Sequence, residues 1–273
     1  MTRIARLVGL VANPNLEEAV STTARFSREL AAAAEVVLSQ EVAQKLGQPG
    51  VPVERMEADM VICFGGDGTM LRTLQKLPRP TPILGVNFGD VGFLPQLEPR
   101  QAEQELLRLI GGFEVREAMR LAVELNGQKM PPALNEAVLV TSRPAKIAHF
   151  RVEVDGRLLD EYRADGVVLA TPTGSTAYSM SAGGPIVDPR VDATLIVPLA
   201  PYRLSARPWV VPGSSEILVR TLREYKHCNL VIDGQHYEEV GSHDQMRFTR
   251  SEQPALFVDA GPKFYKKVRE KLE

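Results

Sequence analysis

The sequence predicts an α/β N-terminal domain with a Rossmann-like parallel sheet over residues 1–113, a mostly β domain over 114–258 and a helical tail over 259–273. Three observations carry this. Strand and helix patterns alternate through the first part of the chain, short strands with Asn-Gly and Asp-Gly turns follow Gly112, and the last residues are charged at helical spacing. At 273 residues there is room for two domains of ordinary size.

In chain order, residues 4–12 (IARLVGLVA) read as a strand, 16–34 as a helix, 35–38 as a short strand and 58–64 (ADMVICF) as a buried strand. Met70, Leu71 and Leu74 give 69–76 a helical face, and 81–86 form a strand before the turn Asn87-Phe88-Gly89. Pro99 opens a helix to about Ile110, with Leu106, Leu107 and Ile110 on its apolar face and Gly111-Gly112 as its stop. In the second domain Phe150, Val152 and Val154 alternate with polar residues ahead of Asp155-Gly156, a hairpin signal. Asn126-Gly127, Asp165-Gly166 and Asp233-Gly234 mark further turns. Residues 263–273 place Phe264, Val268 and Leu272 on one face, so this helix either returns to the first domain or ends in solvent.

A net charge of −2 and a hydrophobic fraction of 44% exclude a disordered chain and a polyanion-binding surface, so nucleic acid is not an expected partner. No apolar stretch approaches the ~20 residues that span a bilayer, and the N-terminus shows no signal-peptide core. A cytoplasmic protein with no membrane partner is expected. Cys63 and Cys228 lie far apart and read as buried free thiols in a reducing compartment.

Chemistry concentrates in two segments. The first is Gly65-Gly66-Asp67-Gly68-Thr69, between a buried strand and a helix, where open α/β sheets bind ligands. Three glycines within four residues allow positive φ and let a ligand approach bare backbone, and amides at the helix start suit a phosphate. An aspartate there would repel a phosphate. Asp67 therefore points to a bound Mg²⁺, or to a hydroxyl that gives up its proton as it is phosphorylated. The turn reads as phosphoryl-transfer machinery, with Gly65, Gly66, Gly68, Thr69 and Arg72 on the phosphoryl-donor side. It has neither the Walker A ending nor the Rossmann glycine spacing.

The second segment, 171–181 (TPTGSTAYSMS), holds seven hydroxyl-bearing residues directly after the apolar run 167–170. Hydroxyls donate and accept, which suits ribose, phosphate and amide edges. Helix capping accounts for one or two of them, not for seven.

Gly-Gly-Asp-Gly-Thr at 65–69, Asn135-Glu136, Asp165-Gly166, the hydroxyl-rich segment and Asp233-Gly234-Gln235 occur in the order and approximate spacing of the NAD kinase family. Residues 86–94 and 205–208 resemble further landmarks of that family, and the resemblance spans nearly the whole chain. The glycine turn alone is shared with diacylglycerol, sphingosine and phosphofructo-kinases. The hydroxyl-rich segment narrows the resemblance to NAD kinase.

This resemblance implies transfer of a phosphoryl group from ATP or polyphosphate to the 2′-hydroxyl of the adenosine ribose of NAD, giving NADP. It further implies Mg²⁺ or another divalent cation, and assembly as a homodimer or homotetramer. Asp67 would be the base at that hydroxyl, and its main contribution would be to orient the hydroxyl and help hold the metal. By the same resemblance Gly68 lies against NAD, Asn135 and Glu136 hold its adenosine half, and His149 lines the site. Arg163 and Asp165 would lie near the nicotinamide half. Thr176, Ala177, Tyr178, Ser179, Met180 and Ser181 would contact the dinucleotide, and Gln235 would present its amide to it.

From the residues alone, Asn135-Glu136, Asp165-Gly166 and Gln235 are equally turn positions, and His149 is an edge-strand residue. Asp188 and Tyr202 stand where many family members have histidine, which bears on subunit contacts or ligand preference. Two other functions are open. A lipid or sugar kinase of the superfamily has no use for the hydroxyl-rich segment, and a non-catalytic dinucleotide sensor has no use for an intact Asp67 turn.

Overall fold

The structure, a computed structural model, describes residues 2–89, 92–143, 146–222, 228–261 and 264–272. It forms two compact units, Met1–Glu117 with Ala255–Glu273, and Ala118–Pro254.

The first unit begins with β1 (Leu7–Ala12), α1 (Glu17–Leu30), β2 (Glu35–Leu38), α2 (Gln40–Leu46), β3 (Met60–Phe64), α3 (Asp67–Lys76), β4 (Ile83–Val86), α4 (Pro99–Gly111) and β5 (Val115–Ala118). β3 is buried along its whole length, as a parallel strand covered on both faces must be. On one face Leu10, Ile62 and Phe64 pack with Phe26 and Leu30 of α1 and Leu106 and Leu109 of α4. On the other, Cys63 meets Thr73 of α3, and burial pushes its thiol up to about 12. Its thiol is inert, and neither it nor buried Cys228 forms a disulfide. β1 pairs in parallel with β2 on one side and β3 on the other, so strand order reverses between β1 and β3. The glycine turn leaves the carboxyl end of β3 beside that switch point.

Several bounds differ from the sequence expectation. The first strand starts at Leu7, because Ile4 is 65% exposed, and the first helix stops at Leu30. In α4 the buried row is Ala102, Leu106, Leu109 and Ile110, while Leu107 falls off it and is 52% exposed. The short helix α2 has seven residues, too few to show a period.

The second unit holds β6 (Leu121–Leu125), β7 (Gln128–Ala133), β8 (Glu136–Thr141), β9 (Ala148–Val154), β10 (Arg157–Ala164), β11 (Gly166–Ala170), α5 (Tyr178–Ser181), β12 (Ala193–Leu199), β13 (Trp209–Pro212), β14 (Ile217–Thr221), β15 (Cys228–Ile232), β16 (His236–Val240) and β17 (Gln245–Arg250). One antiparallel sheet has the order β10-β9-β14-β17-β6-β7, the other β13-β12-β11-β8-β15-β16. Phe150, Val219 and Phe248 of the first share a core with Leu139, Leu169 and Leu230 of the second. The second sheet is also covered on its outer face, where Ala182 and Val187 pack on Val168 and Val197. This explains why β11 and β12 are buried throughout while β9 alternates.

Asn126-Gly127, Asp155-Gly156 and Asp233-Gly234 close hairpins with both residues at positive φ. Asp165-Gly166 does not; it carries the chain from β10 in one sheet to β11 in the other. Gly166 is required there by contact, since a Cβ would lie 2.3 Å from the Leu139 carbonyl oxygen.

The chain then returns to the first unit. β18 (Ala255–Val258) pairs in parallel with β4, completing the order β2-β1-β3-β4-β18-β5, and α6 (Phe264–Leu272) follows. The sequence expectation grouped 114–118 and 255–258 with the second domain, whereas both strands join the first sheet. For the tail, the returning alternative holds. Phe264 and Val268 are partly buried, and Leu272 is exposed rather than part of the packed face.

Candidate active site

In the first unit only Gly65 and Gly66 separate β3 from α3, so Asp67 occupies the first helical turn, where the positive end of the helix dipole favours a carboxylate. Amides of that turn have no acceptor along the helix. The expected positive φ is not found at Gly65, Gly66 or Gly68. Contact, not conformation, explains these glycines. A Cβ on Gly65 would lie 2.4 Å from Thr69 Oγ1, whereas Gly66 and Gly68 face open space in which a ligand can reach the backbone. Thr69 is buried against Gly65, and Arg72 is exposed one turn on.

The Asp67 carboxylate is held from a distant part of the chain. The Phe93 N–H donates to Oδ2 at 3.1 Å and the Leu94 N–H to Oδ1 at 2.9 Å. Each oxygen retains further acceptor capacity for a hydroxyl or a metal ion. Gly92 makes this approach possible, because a Cβ there would lie 2.7 Å from Asp67 Oδ1 and 2.9 Å from Pro95 Cδ. Gly92→Ala is therefore expected to displace the carboxylate and lower kcat by about a hundredfold, the usual scale for an ångström of misplacement. Steady-state kinetics alongside a melting curve checks this, with little change in Tm expected.

In the second unit three distant segments converge. β8 opens at Glu136, flanked by the end of β11 (Ala170 opposite Glu136) and the end of β15 (Ile232 opposite Ala137). The Asp233 carboxylate accepts from the amides of Leu134 (2.8 Å), Asn135 (2.8 Å) and Glu136 (3.2 Å). Its own N–H donates to the Glu136 carbonyl at 2.9 Å. From the hydroxyl-rich segment Thr171 Oγ1 donates to the Leu134 carbonyl at 2.5 Å, and the Thr171 N–H to that of Asn135 at 2.9 Å. Gly174 presses on the same turn, since a Cβ would lie 2.0 Å from the Asn135 carbonyl oxygen.

Glu136 is 8% exposed, and its Oε2 has no hydrogen-bond partner among the described residues. Burial first, then the Asp233 charge, push its carboxyl up to about 7, against one hydrogen bond from the Tyr178 amide. The folded protein thus holds a proton that the unfolded chain releases near 4.5. The resulting stabilisation is complete below that value and is lost as pH rises through about 7, a difference of about 3 kcal/mol. Denaturant unfolding of wild type and Glu136→Gln from pH 4.5 to 8 checks this. Wild type is expected to lose stability relative to the variant as pH rises.

The hydroxyl-rich segment is spent partly on itself. Ser175 Oγ donates to the Val187 carbonyl at 3.1 Å and accepts from its amide at 3.0 Å, and Thr176 donates to the Thr173 carbonyl at 3.2 Å. Ser179 is fully buried, facing Gly184. With Thr171, bonding within the protein and burial account for four of the seven hydroxyls, more than capping alone predicted. Tyr178 and Ser181 are exposed, with Ala177 and Met180 partly so.

A second group lies around the β9–β10 pair. His149 sits opposite Arg163, with Nε2 at 3.9 Å from Glu161 Oε2. The Arg163 guanidinium stacks 4.8 Å from the Tyr202 ring centroid, and its carbonyl accepts from the Tyr202 amide at 2.7 Å. Asp165 is half-buried on the link to β11, and Gln235 is exposed where its N–H closes the β15–β16 hairpin. Asp188 is engaged by Arg190 at 2.7 Å. Sequence reasoning assigned no role to Asp233 or to the amides of 93–94, whose partners lie far along the chain.

The family model of the ATP-NAD kinase N-terminal domain matches residues 8–113, and that of the ATP-NAD kinase C-terminal domain matches 134–260. A NAD kinase of Methanosarcina mazei is 47% identical over 253 residues, covering 91% of this chain and 86% of that protein. The chain belongs to the NAD kinase family. It is accordingly a phosphotransferase. The NAD kinase of Methanothermobacter thermautotrophicus is 45% identical over 271 residues, 97% of this chain and 95% of its own. Among solved structures, an NAD kinase from Archaeoglobus fulgidus in complex with ATP is 34% identical with a TM-score of 0.81, covering 96% of this chain and 98% of that one. Yeast NADH kinase complexed with NADH is 25% identical with a TM-score of 0.88, covering 99% and 88%. The α/β unit followed by two antiparallel sheets is the NAD kinase fold.

Proposed function

We propose that this chain transfers the terminal phosphoryl group of ATP to the 2′-hydroxyl of the adenosine ribose of NAD, giving NADP. The observation that carries the reading is Asp67, held by two amides at the end of β3 in a chain of the NAD kinase family. Asp67 orients the ribose hydroxyl and takes its proton as the new O–P bond forms and the bond to the leaving diphosphate breaks. Such transition states are loose, so positioning and charge neutralisation contribute more than base strength. Backbone at Gly66 and Gly68 faces the donor phosphates, beside Thr69 and Arg72. Asn135 and Glu136 take the adenosine half of NAD, with Tyr178, Ala177, Met180 and Ser181 along the dinucleotide. His149, Arg163, Asp165 and Gln235 lie farther along it.

The donor set suits Mg²⁺ or another divalent cation carried by the nucleotide. Among the described residues no three His, Cys, Asp or Glu side chains gather to hold a metal. One carboxylate, Asp67, with phosphate oxygens and water is the usual environment of such an ion. When bound it neutralises charge on the phosphates.

The A. fulgidus complex with ATP supports ATP as donor, with polyphosphate as the alternative, and the yeast NADH kinase makes NADH a second acceptor to test. The test is NADP formation by the purified chain, read with an NADP-specific dehydrogenase, over each donor and acceptor with Mg²⁺. Activity with ATP and NAD is expected. Absence with every combination overturns the reading in favour of a dinucleotide sensor. The exposed Trp209 and Val210 on edge strand β13 support a homodimer or homotetramer. No described helix is long and apolar enough to cross a membrane. Two cysteines outside any disulfide support a cytoplasmic location.

A further inference from the structure

The loop that holds Asp67 is itself held from its other side. Lys267, on α6, donates from Nζ to the Phe93 carbonyl at 2.9 Å and also to the Pro95 carbonyl. The Phe93 carbonyl and the Leu94 N–H belong to one peptide group. That single group therefore accepts from the Lys267 ammonium at its oxygen and donates to Asp67 Oδ1 at its nitrogen, 2.9 Å away. A peptide polarised at its oxygen by a cation is a better donor at its nitrogen, and hydrogen bonds in such a chain strengthen one another. Gly92 and Pro95 leave the segment no slack on the carboxylate side.

We infer that Lys267 is a positioning residue for phosphoryl transfer, acting through the 93–94 peptide to fix the Asp67 carboxylate, so that the C-terminal helix is part of the catalytic apparatus. Nothing in the spacing of the tail singles Lys267 out from its neighbours. Lys266, next to it, pairs with Glu270 at 3.5 Å on the exposed side of the same helix and has no such contact. The inference rests on the assignment of Asp67 as the carboxylate of the reaction, and one of its readouts does not depend on turnover.

The experiment compares Lys267→Met, Lys267→Arg and Lys266→Met in the 273-residue chain. Lys267→Met is expected to lower kcat about tenfold while KM for NAD stays within twofold, because the carboxylate loses its aim and not the dinucleotide its pocket. Lys267→Arg, which keeps a donor cation, is expected to recover most of kcat, and Lys266→Met to match wild type. Hydrogen exchange at the amides of Phe93 and Leu94 is expected to quicken in Lys267→Met, whether or not a substrate turns over. Unchanged kcat in a folded Lys267→Met, or equal loss in Lys266→Met, overturns the proposal. If Lys267→Met does not fold, full activity in a folded Lys267→Gln does so instead. If wild type has no kinase activity but exchange still responds to Lys267, the assignment of Asp67 fails while the hold of Lys267 on the 93–94 peptide stands.

Discussion

Asp67→Asn is expected to lower kcat by about a thousandfold while NAD binding stays close to that of wild type. The substitution keeps the shape of the side chain and its place in the first turn of α3. On the proposed reading it removes the charge that would hold the metal on the donor and the acceptor that would align the ribose hydroxyl. The carboxamide also has only one oxygen for two backbone donors, so one of the Phe93 and Leu94 amides loses its acceptor. Asn135 and Glu136, proposed to hold the adenosine half of NAD, keep their own hydrogen bonds to Asp233. Steady-state kinetics with calorimetric NAD titration separates the two effects. A large rise in KM with kcat preserved would move Asp67 from chemistry to binding.

Asp233→Ala is expected to have the largest effect on stability. Three buried amides lose their acceptor at once, and each orphaned donor costs about 1–3 kcal/mol. A loss of about 4 kcal/mol corresponds to a fall in Tm of about 10 °C for a domain of this size. Because the freed turn carries Asn135 and Glu136, KM for NAD is expected to rise more than kcat falls. Asp233→Asn, which keeps one oxygen, is expected to lie between. A thermal melt and a kinetic comparison of both variants check this; a Tm within 2 °C of wild type for Asp233→Ala would contradict the clamp.

The features of each unit that the sequence makes legible are local ones. A glycine turn between a strand and a helix places Asp67 without any tertiary information, and hydroxyl density marks 171–181 from composition alone. What stays hidden is coupling between distant segments. Asp233 reads as one more hairpin turn, because the amides it satisfies lie 97 to 99 residues earlier. The roles of Thr171, Ser175 and Thr176 are blurred for a different reason, since a hydroxyl that braces the fold and one that meets a ligand are the same residue type. Sheet membership of 115–118 and 255–258 was likewise hidden: a short strand's period shows its buried face but not its neighbour. Lys267 is visible only as charge on an amphipathic tail until α6 is seen against the loop at 93–95.

The most direct test of the account is the chemical identity of the product. The purified chain would be incubated with NAD, ATP and Mg²⁺, and the product examined by phosphorus and proton NMR. A single new phosphomonoester on the 2′-oxygen of the adenosine ribose, matched by stoichiometric ADP, is the predicted result. Phosphate on another oxygen, or ADP released without a phosphorylated dinucleotide, would contradict it.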